Sequence, residues 1–125
     1  MENLFYKNEV YEIIGHCMEV HNYLGFGFLE IVYKDALEIE FIENRVVYER
    51  EKEFTINYKQ HTLRRKFYSD FYVMDKIIIE VKSSREALPK DNTTQTLNYL
   101  KASGCQLGLI VNFEKSSLEY KRLIF

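Results

Sequence analysis

Asp70, Glu80 and Lys82 are the side chains of this 125-residue chain whose types and spacing could do chemistry. They sit on two short β-branched and aromatic runs, Ser69 to Val73 and Ile77 to Lys82, with a polar break around Asp75 between them. That pattern predicts a β-hairpin. With Met74-Asp75-Lys76 as a three-residue loop, Val73 pairs with Ile77 and Asp70 falls opposite Glu80. Cross-strand neighbours hold their Cβ atoms about 4.5–5.5 Å apart, and like charges placed there destabilise a sheet. Two facing carboxylates therefore call for a cation between them. Side chains alternate along a strand, so Lys82 shares the face of Glu80 while Val81 points away. A bulge or a two-residue loop would break this register. The competing account of the three residues is an ion network on a solvated face.

The elements that must position them follow from periodicity. Asn8 can cap a helix with Val10, Ile13, Ile14, Cys17, Val20, His21 and Leu24 on one stripe. Gly25-Phe26-Gly27 breaks the chain. A second helix is expected from about Phe28 to Glu43, burying Val32, Tyr33, Ala36, Leu37, Ile39 and Phe41. Glu30 falls in its first turn, where a carboxylate complements the helix dipole whatever else it does. Val46 to Tyr58 alternates, apolar at even positions except Arg50 and Lys52. Thr62 to Val73 has the reverse parity. A turn at Gln60-His61 would pair even with odd positions and gather the apolar sets on one face. Arg64, Lys66, Tyr68, Asp70, Glu80 and Lys82 would then share the other. After Ser83, Ser84, Arg85 and Pro89, one of Asp91, Asn92 or Thr93 can cap a third helix ending at Gly104. Leu97, Leu100 and Ala102 point inward from it, and Gln95 and Tyr99 lie i, i+4 on one side. Leu107 to Phe113 reads as a central strand reached by a helical crossover. Lys121 to Phe125 adds an edge strand or packs Leu123 and Phe125. The order α-α-β-β-β-α-β predicts an α/β fold, a mixed sheet flanked by helices, as a single domain over residues 1–125.

Composition narrows the function classes. The formal net charge of −2 gives no global attraction for nucleic acid, so such a partner must be held by a local basic patch. Arg64, Lys66 and Arg85 flank the acidic residues and could contact phosphates; their plainer role is a solubilising surface. Ten Tyr and nine Phe make the core bulky and leave rings near the surface. Cys17 and Cys105 lack disulfide-framework or metal-site spacing, which fits a reduced, cytoplasmic protein. The scattered His16, His21 and His61 form no zinc pattern. No apolar run approaches the roughly 20 residues that span a bilayer, so no membrane association is expected.

Gly27, Glu30 and Tyr33, within Leu24-Gly25-Phe26-Gly27-Phe28-Leu29-Glu30-Ile31-Val32-Tyr33, resemble the signature of the "GxxExxY" proteins. Asp70, Glu80-Val81-Lys82, Gln95 with Tyr99-Leu100, and Gly108 to Phe113 resemble its later blocks, in order. Phe26 stands where proline is expected between the glycines. That family looks like a branch of the PD-(D/E)XK nuclease superfamily, with a restriction-endonuclease-like core. The resemblance implies that Asp70 and Glu80 are metal ligands, with the Val81 carbonyl as a third. It implies that Lys82 orients or activates a water, that Glu30 completes the shell through water, and that Gln95 steadies the site from its helix. An all-oxygen set suits Mg²⁺ or Mn²⁺.

Two functions follow from different classes. The first is a metal-dependent nuclease hydrolysing phosphodiester bonds in DNA or RNA, for which paired carboxylates and a lysine are the signal. The second is a non-catalytic nucleic-acid-binding or protein-interaction module that retains the fold, which the acidic net charge favours. A small nuclease must grip two strands to cut a duplex, so a homodimer is compatible with the first.

Overall fold

The computed structural model describes residues 6–84 and 90–124, with the backbone alone at 90–93. The expected caps Asp91, Asn92 and Thr93 therefore have no side chain among the described residues, and Arg85, Pro89 and Phe125 lie outside them. The elements are α1 (Lys7–Leu24), α2 (Glu30–Glu43), β1 (Tyr48–Tyr58), β2 (His61–Val73), β3 (Ile77–Lys82), α3 (Lys90–Ser103), β4 (Leu107–Asn112) and β5 (Glu119–Ile124). The five strands form one sheet in chain order. β3 and β4 are parallel and every other pair is antiparallel. This is the expected mixed sheet with flanking helices, and the chain's end takes the edge-strand option.

One face of the sheet carries the larger core. Val10, Ile13, Ile14, Cys17 and Val20 of α1 and Tyr33, Leu37 and Phe41 of α2 meet Phe71, Val73, Ile77, Ile79, Val81 and Val111. The 3.6-residue period of the helices and the two-residue period of the strands converge on this layer. Helix α1 starts at Lys7 rather than after an Asn8 cap, because Val10 N–H already donates to Tyr6 O at 2.9 Å. Ile39, expected inside, is exposed. α2 begins at Glu30, two residues later than expected, since Phe28 and Leu29 belong to the loop that enters it.

The smaller core lies under α3, where Leu100 packs with Ile78, Cys105, Ile110 and Leu123. Gly108 lets α3 come down on β4, because a Cβ there would stand 3.0 Å from Leu100 Cδ1. Ala102, expected inward, is exposed.

The β1–β2 ribbon corrects the expectation of a single apolar face. Phe67 stacks on Tyr99 of α3 at 4.2 Å between centroids, whereas Phe71 meets Phe41 of α2 edge-on at 5.4 Å. Both positions are odd, so strict alternation would put them on one side. On β1, Arg50 pairs with Asp35 and Glu38 of α2, while the Lys52 ammonium lies over Phe54 and Tyr72. The ribbon therefore changes faces between these residues. The change is made at Glu51, whose φ of 56° leaves the strand region, across from the adjacent buried pair Ser69 and Asp70. The turn at the tip also falls one residue early, at Lys59-Gln60, with Tyr58 paired to His61. A bulge between Thr55 and Asn57 then restores the Phe54–Phe67 register.

Candidate active site

The hairpin register predicted from sequence is the one found. Val73, Tyr72 and Phe71 pair with Ile77, Ile78 and Ile79, which makes Asp70 and Glu80 the next positions in line. There the backbone ladder ends and a side chain replaces it: Val81 N–H donates to Asp70 Oδ2 at 2.7 Å. In a strand a residue's N–H and C=O serve the same neighbour, so the Val81 carbonyl faces β2 as well. The face change at Glu51 and Asp70 is what frees the carboxylate for this bond.

Glu80 is the perturbed group. Burial and the adjacent Asp70 carboxylate push its pKa up to about 8, against the opposing charge of Lys82. Glu30, the first residue of α2, is also raised, by burial and then by the charge of Asp70. Three carboxyl groups thus crowd one region, and two of them are held above their ordinary range. Strongly shifted, partly buried carboxyls of this kind are common at functional sites.

Lys34 was not legible as a member of this group. Its ammonium bonds Glu51 Oε1 at 2.6 Å and Asp70 Oδ1 at 3.0 Å. Burial opposes its charge, but the bonds with Glu51 and Asp70 prevail and its pKa is raised. Only its i, i+4 spacing from Glu30 hinted that it shares that helix face.

Glu30 is placed by the loop before it. Gly25 and Gly27 take φ values of 71° and 104°, which side-chain-bearing residues rarely adopt. Tyr33 hydroxyl donates to Gly25 O at 2.7 Å and accepts Phe28 N–H at 3.3 Å, while its ring stacks on Phe113 at 4.7 Å. Gly27 N–H reaches Glu114 at 3.2 Å, and the Ser83 hydroxyl is within bonding distance of both Phe28 O and Glu114. Gly27, Glu30 and Tyr33 therefore act as one unit: a bend, a pin for the bend, and the carboxyl it presents.

Glu80 and Lys82 open into a cavity of about 370 Å³ beneath α3, lined also by Gln95, Thr96, Tyr99 and Arg65 to Tyr68. Gln95 donates to Tyr99 hydroxyl at 3.3 Å from its exposed position. The basic residues distribute differently from expectation. Lys66 borders the cavity, but its ammonium bonds Glu53 at 3.2 Å, beside the Tyr68 hydroxyl on the same carboxylate at 2.9 Å. Arg64 is exposed and does not line the cavity; Arg65 does, because the face change puts odd positions of this part of β2 on the α3 side. So the even-numbered set does not act as one polar face: Glu80 and Lys82 line the cavity, while Lys66 and Tyr68 border it with their polar ends tied to Glu53.

Among the described residues, no group of three or more His, Cys, Asp or Glu side chains is arranged to hold a metal ion. What is present is the Asp70 and Glu80 pair of carboxyl groups, with Glu80 lining an open cavity. That donor set fits Mg²⁺, which is usually held by one or two carboxylates and keeps several waters.

The family model described as PD-(D/E)XK nuclease superfamily matches residues 7–123. A solved structure titled "Crystal structure of SSO0001" superposes with a TM-score of 0.59 at 22% identity, over 95% of this chain and 59% of that one. The chain thus spans 59% of that protein's length, and the likeness is one of fold. No curated protein compared with it matches.

Proposed function

This chain belongs to the PD-(D/E)XK nuclease superfamily, and from that premise we propose that it is a metal-dependent nuclease of the GxxExxY branch, hydrolysing phosphodiester bonds. The observation that carries the reading is the meeting of Asp70 and Glu80 at the open end of the β2–β3 ladder, with Glu80 and Lys82 lining one cavity. Asp70, Glu80 and the Val81 carbonyl would hold Mg²⁺ or Mn²⁺. Bound there, the ion supplies Lewis-acid polarisation of the phosphate and a water of lowered pKa. Lys82 contributes positive charge where negative charge grows in the transition state. Glu30 would complete the metal's shell through a water, and Gln95 would steady the cavity wall from α3. Arg64 and Lys66, with Arg85 from outside the described residues, contact the phosphate backbone on either side.

The Lys34–Asp70 contact of 3.0 Å supports the second reading, a binding module retaining the fold, because it already neutralises one carboxylate. A cleavage screen over DNA and RNA, single- and double-stranded, with Mg²⁺ and with Mn²⁺ separates the two. The nuclease reading expects cutting by the wild type and none by Lys82→Ala. Glu30→Gln should lose about 10–100-fold, the usual cost of disturbing an outer partner of a metal site. Titration calorimetry with Mg²⁺ on wild type and Asp70→Asn checks the metal; identical heats would rule out this site.

A further inference from the structure

The outer half of the β1–β2 ribbon has no core to serve. Its last packed pair is Phe54 and Phe67, stacked at 4.9 Å and covered by Tyr99 of α3. Beyond them every residue from Asn57 to Lys66 is exposed, on both sides of the ribbon. Two-stranded hairpins are at best marginally stable alone, so an arm with neither face buried needs another reason to project. Its charge offers one. From Phe54 to Phe67 the chain carries Lys59, Arg64, Arg65 and Lys66 and no Asp or Glu, within a protein whose net charge is −2. Among the described residues Lys59, Arg64 and Arg65 have no acidic partner, and Arg65 lines the cavity that leads to Glu80 and Lys82.

We propose that this arm docks in the major groove of double-stranded DNA and delivers the duplex to the cavity at its base. The inference rests on the nuclease reading for what happens there, but the docking stands on the arm itself. Its dimensions fit. On β1 the four residues Thr55 to Tyr58, at about 3.3–3.4 Å each, extend roughly 13 Å past Phe54, with His61 to Lys66 of β2 beside them. The B-DNA major groove is about 12 Å wide and 8.5 Å deep and admits a two-stranded ribbon. The major groove of A-form RNA is too narrow for side chains to read. Single strands are held on successive aromatic platforms, and here the rings of Phe54, Phe67 and Tyr99 are stacked on one another, while Lys59 lies over Tyr58.

The test is fluorescence anisotropy without divalent ions, so that nothing is cut. The probes are a labelled 20-base-pair DNA duplex, one of its strands alone, and an RNA duplex of the same sequence. Wild type should bind the DNA duplex at least about tenfold more tightly than either other probe, with weaker binding when bulky 5-substituted pyrimidines fill the major groove. Lys59→Ala/Arg64→Ala/Arg65→Ala, checked for folding by circular dichroism, should lose at least about tenfold. Its log–log salt slope should fall by about 0.9 for each phosphate contact removed. Lys59→Gln/Arg64→Gln, which leaves the cavity-lining Arg65 in place, should show part of the same loss. Unchanged duplex affinity in both variants, or equal affinity for single-stranded DNA or duplex RNA, overturns the proposal. So does a change in the variants' oligomeric state with duplex affinity kept, which would make the arm a contact between copies. Wild type that cuts while the arm variants bind normally sinks the arm alone. Arm-dependent duplex binding without cleavage under either metal sinks the nuclease reading alone.

Discussion

The acidic centre and the basic arm share β1 and β2, with Glu51 and Asp70 at the centre and Lys59, Arg64 and Arg65 toward the tip, and are built on opposite terms. At the centre, Asp70 is held by Lys34 and by Val81 N–H, Glu51 shares that lysine, and Glu30 enters on a loop tied to Tyr33, Ser83 and Glu114. On the arm, Lys59, Arg64 and Arg65 have no such ties among the described residues. Groups that must act on a reacting atom need fixed positions, since small displacements there are costly. Groups that meet a phosphate backbone need charge and reach, and they tolerate movement. The hinge between the two regimes is the face change at Glu51 and Ser69-Asp70. Substitutions should therefore have very different consequences on either side of it.

The largest contrast should appear in turnover. Lys82→Ala is expected to lower cleavage by at least about 100–1,000-fold, the scale of removing one charge-stabilising group from an active site. Fold and nucleic-acid affinity should survive, because an interaction realised mainly in the transition state changes turnover and little else. Lys82→Arg should not rescue, since a planar guanidinium is no substitute for a compact ammonium. If Lys82→Ala instead loses stability and binding together, the lysine belongs to the structural set with Lys34, and the division drawn here moves.

Next is Lys34→Met, which leaves Asp70 and Glu51 without their shared cation. Breaking a buried pair costs about 3–5 kcal/mol. The low end, about 3 kcal/mol, is expected here because Glu51 is half open to solvent and Asp70 keeps the Val81 N–H. Urea unfolding measures it. Adding Asp70→Asn should recover part of the loss, since the uncompensated charge is then gone; a simple sum of the two single effects would show that the residues do not interact.

Much of this centre was legible in the sequence, and the reason is local. The Val73–Ile77 pairing follows from three polar residues between two β-branched runs, and it carries Asp70 and Glu80 to their places without any tertiary knowledge. Lys34 was not legible, because nothing in a helix's sequence says which strand residue it will meet. The face change was half visible: Arg50 and Lys52 interrupt the apolar alternation where β1 turns over. An interruption can equally be a solvated stretch, and only the opposite destinations of Phe67 and Phe71 decide it. Missing the change also hid Arg65, which lines the cavity where its neighbour Arg64 does not, because alternation turns a difference of one residue into the opposite face.

A third effect separates the regions by pH. Glu80 has a folded-state pKa near 8, above that of an unfolded glutamate, because burial and Asp70 disfavour its charge. A group raised on folding stabilises fully below the unfolded pKa, and its contribution is lost as pH rises through the folded value. Thermal stability should therefore decline between about pH 4.5 and pH 8, and Glu80→Gln should flatten that decline. Mg²⁺ should oppose it in the wild type if the ion binds there, by adding a ligand of the folded state. Arm variants should leave the profile unchanged. A wild-type profile identical to that of Glu80→Gln would remove Glu80 from the perturbed set.

Tyr33→Phe should cost less, about 1 kcal/mol for the hydrogen bonds its hydroxyl makes to Gly25 and Phe28. The ring still stacks on Phe113, so the helix stays packed and only the bend loosens. A measurable drop in cleavage at nearly unchanged stability would show that the bend positions Glu30. Equal activity would leave the tyrosine as a core residue with a satisfied hydroxyl.

The smallest effect should come from the arm. Lys59→Ala/Arg64→Ala is expected to change the free energy of unfolding by no more than about 0.5 kcal/mol, the usual span for surface substitutions away from special features. Both side chains are exposed, neither has an acidic partner among the described residues, and clustered like charges repel one another. A slight gain is the more telling outcome. It would mean that the uncompensated charge at the tip strains the folded chain when no partner is present, whereas the Lys34 charge at the centre holds two carboxylates in place. A loss of 2 kcal/mol or more would instead mean that the tip packs against something in solution, and it would no longer contrast with the centre at all.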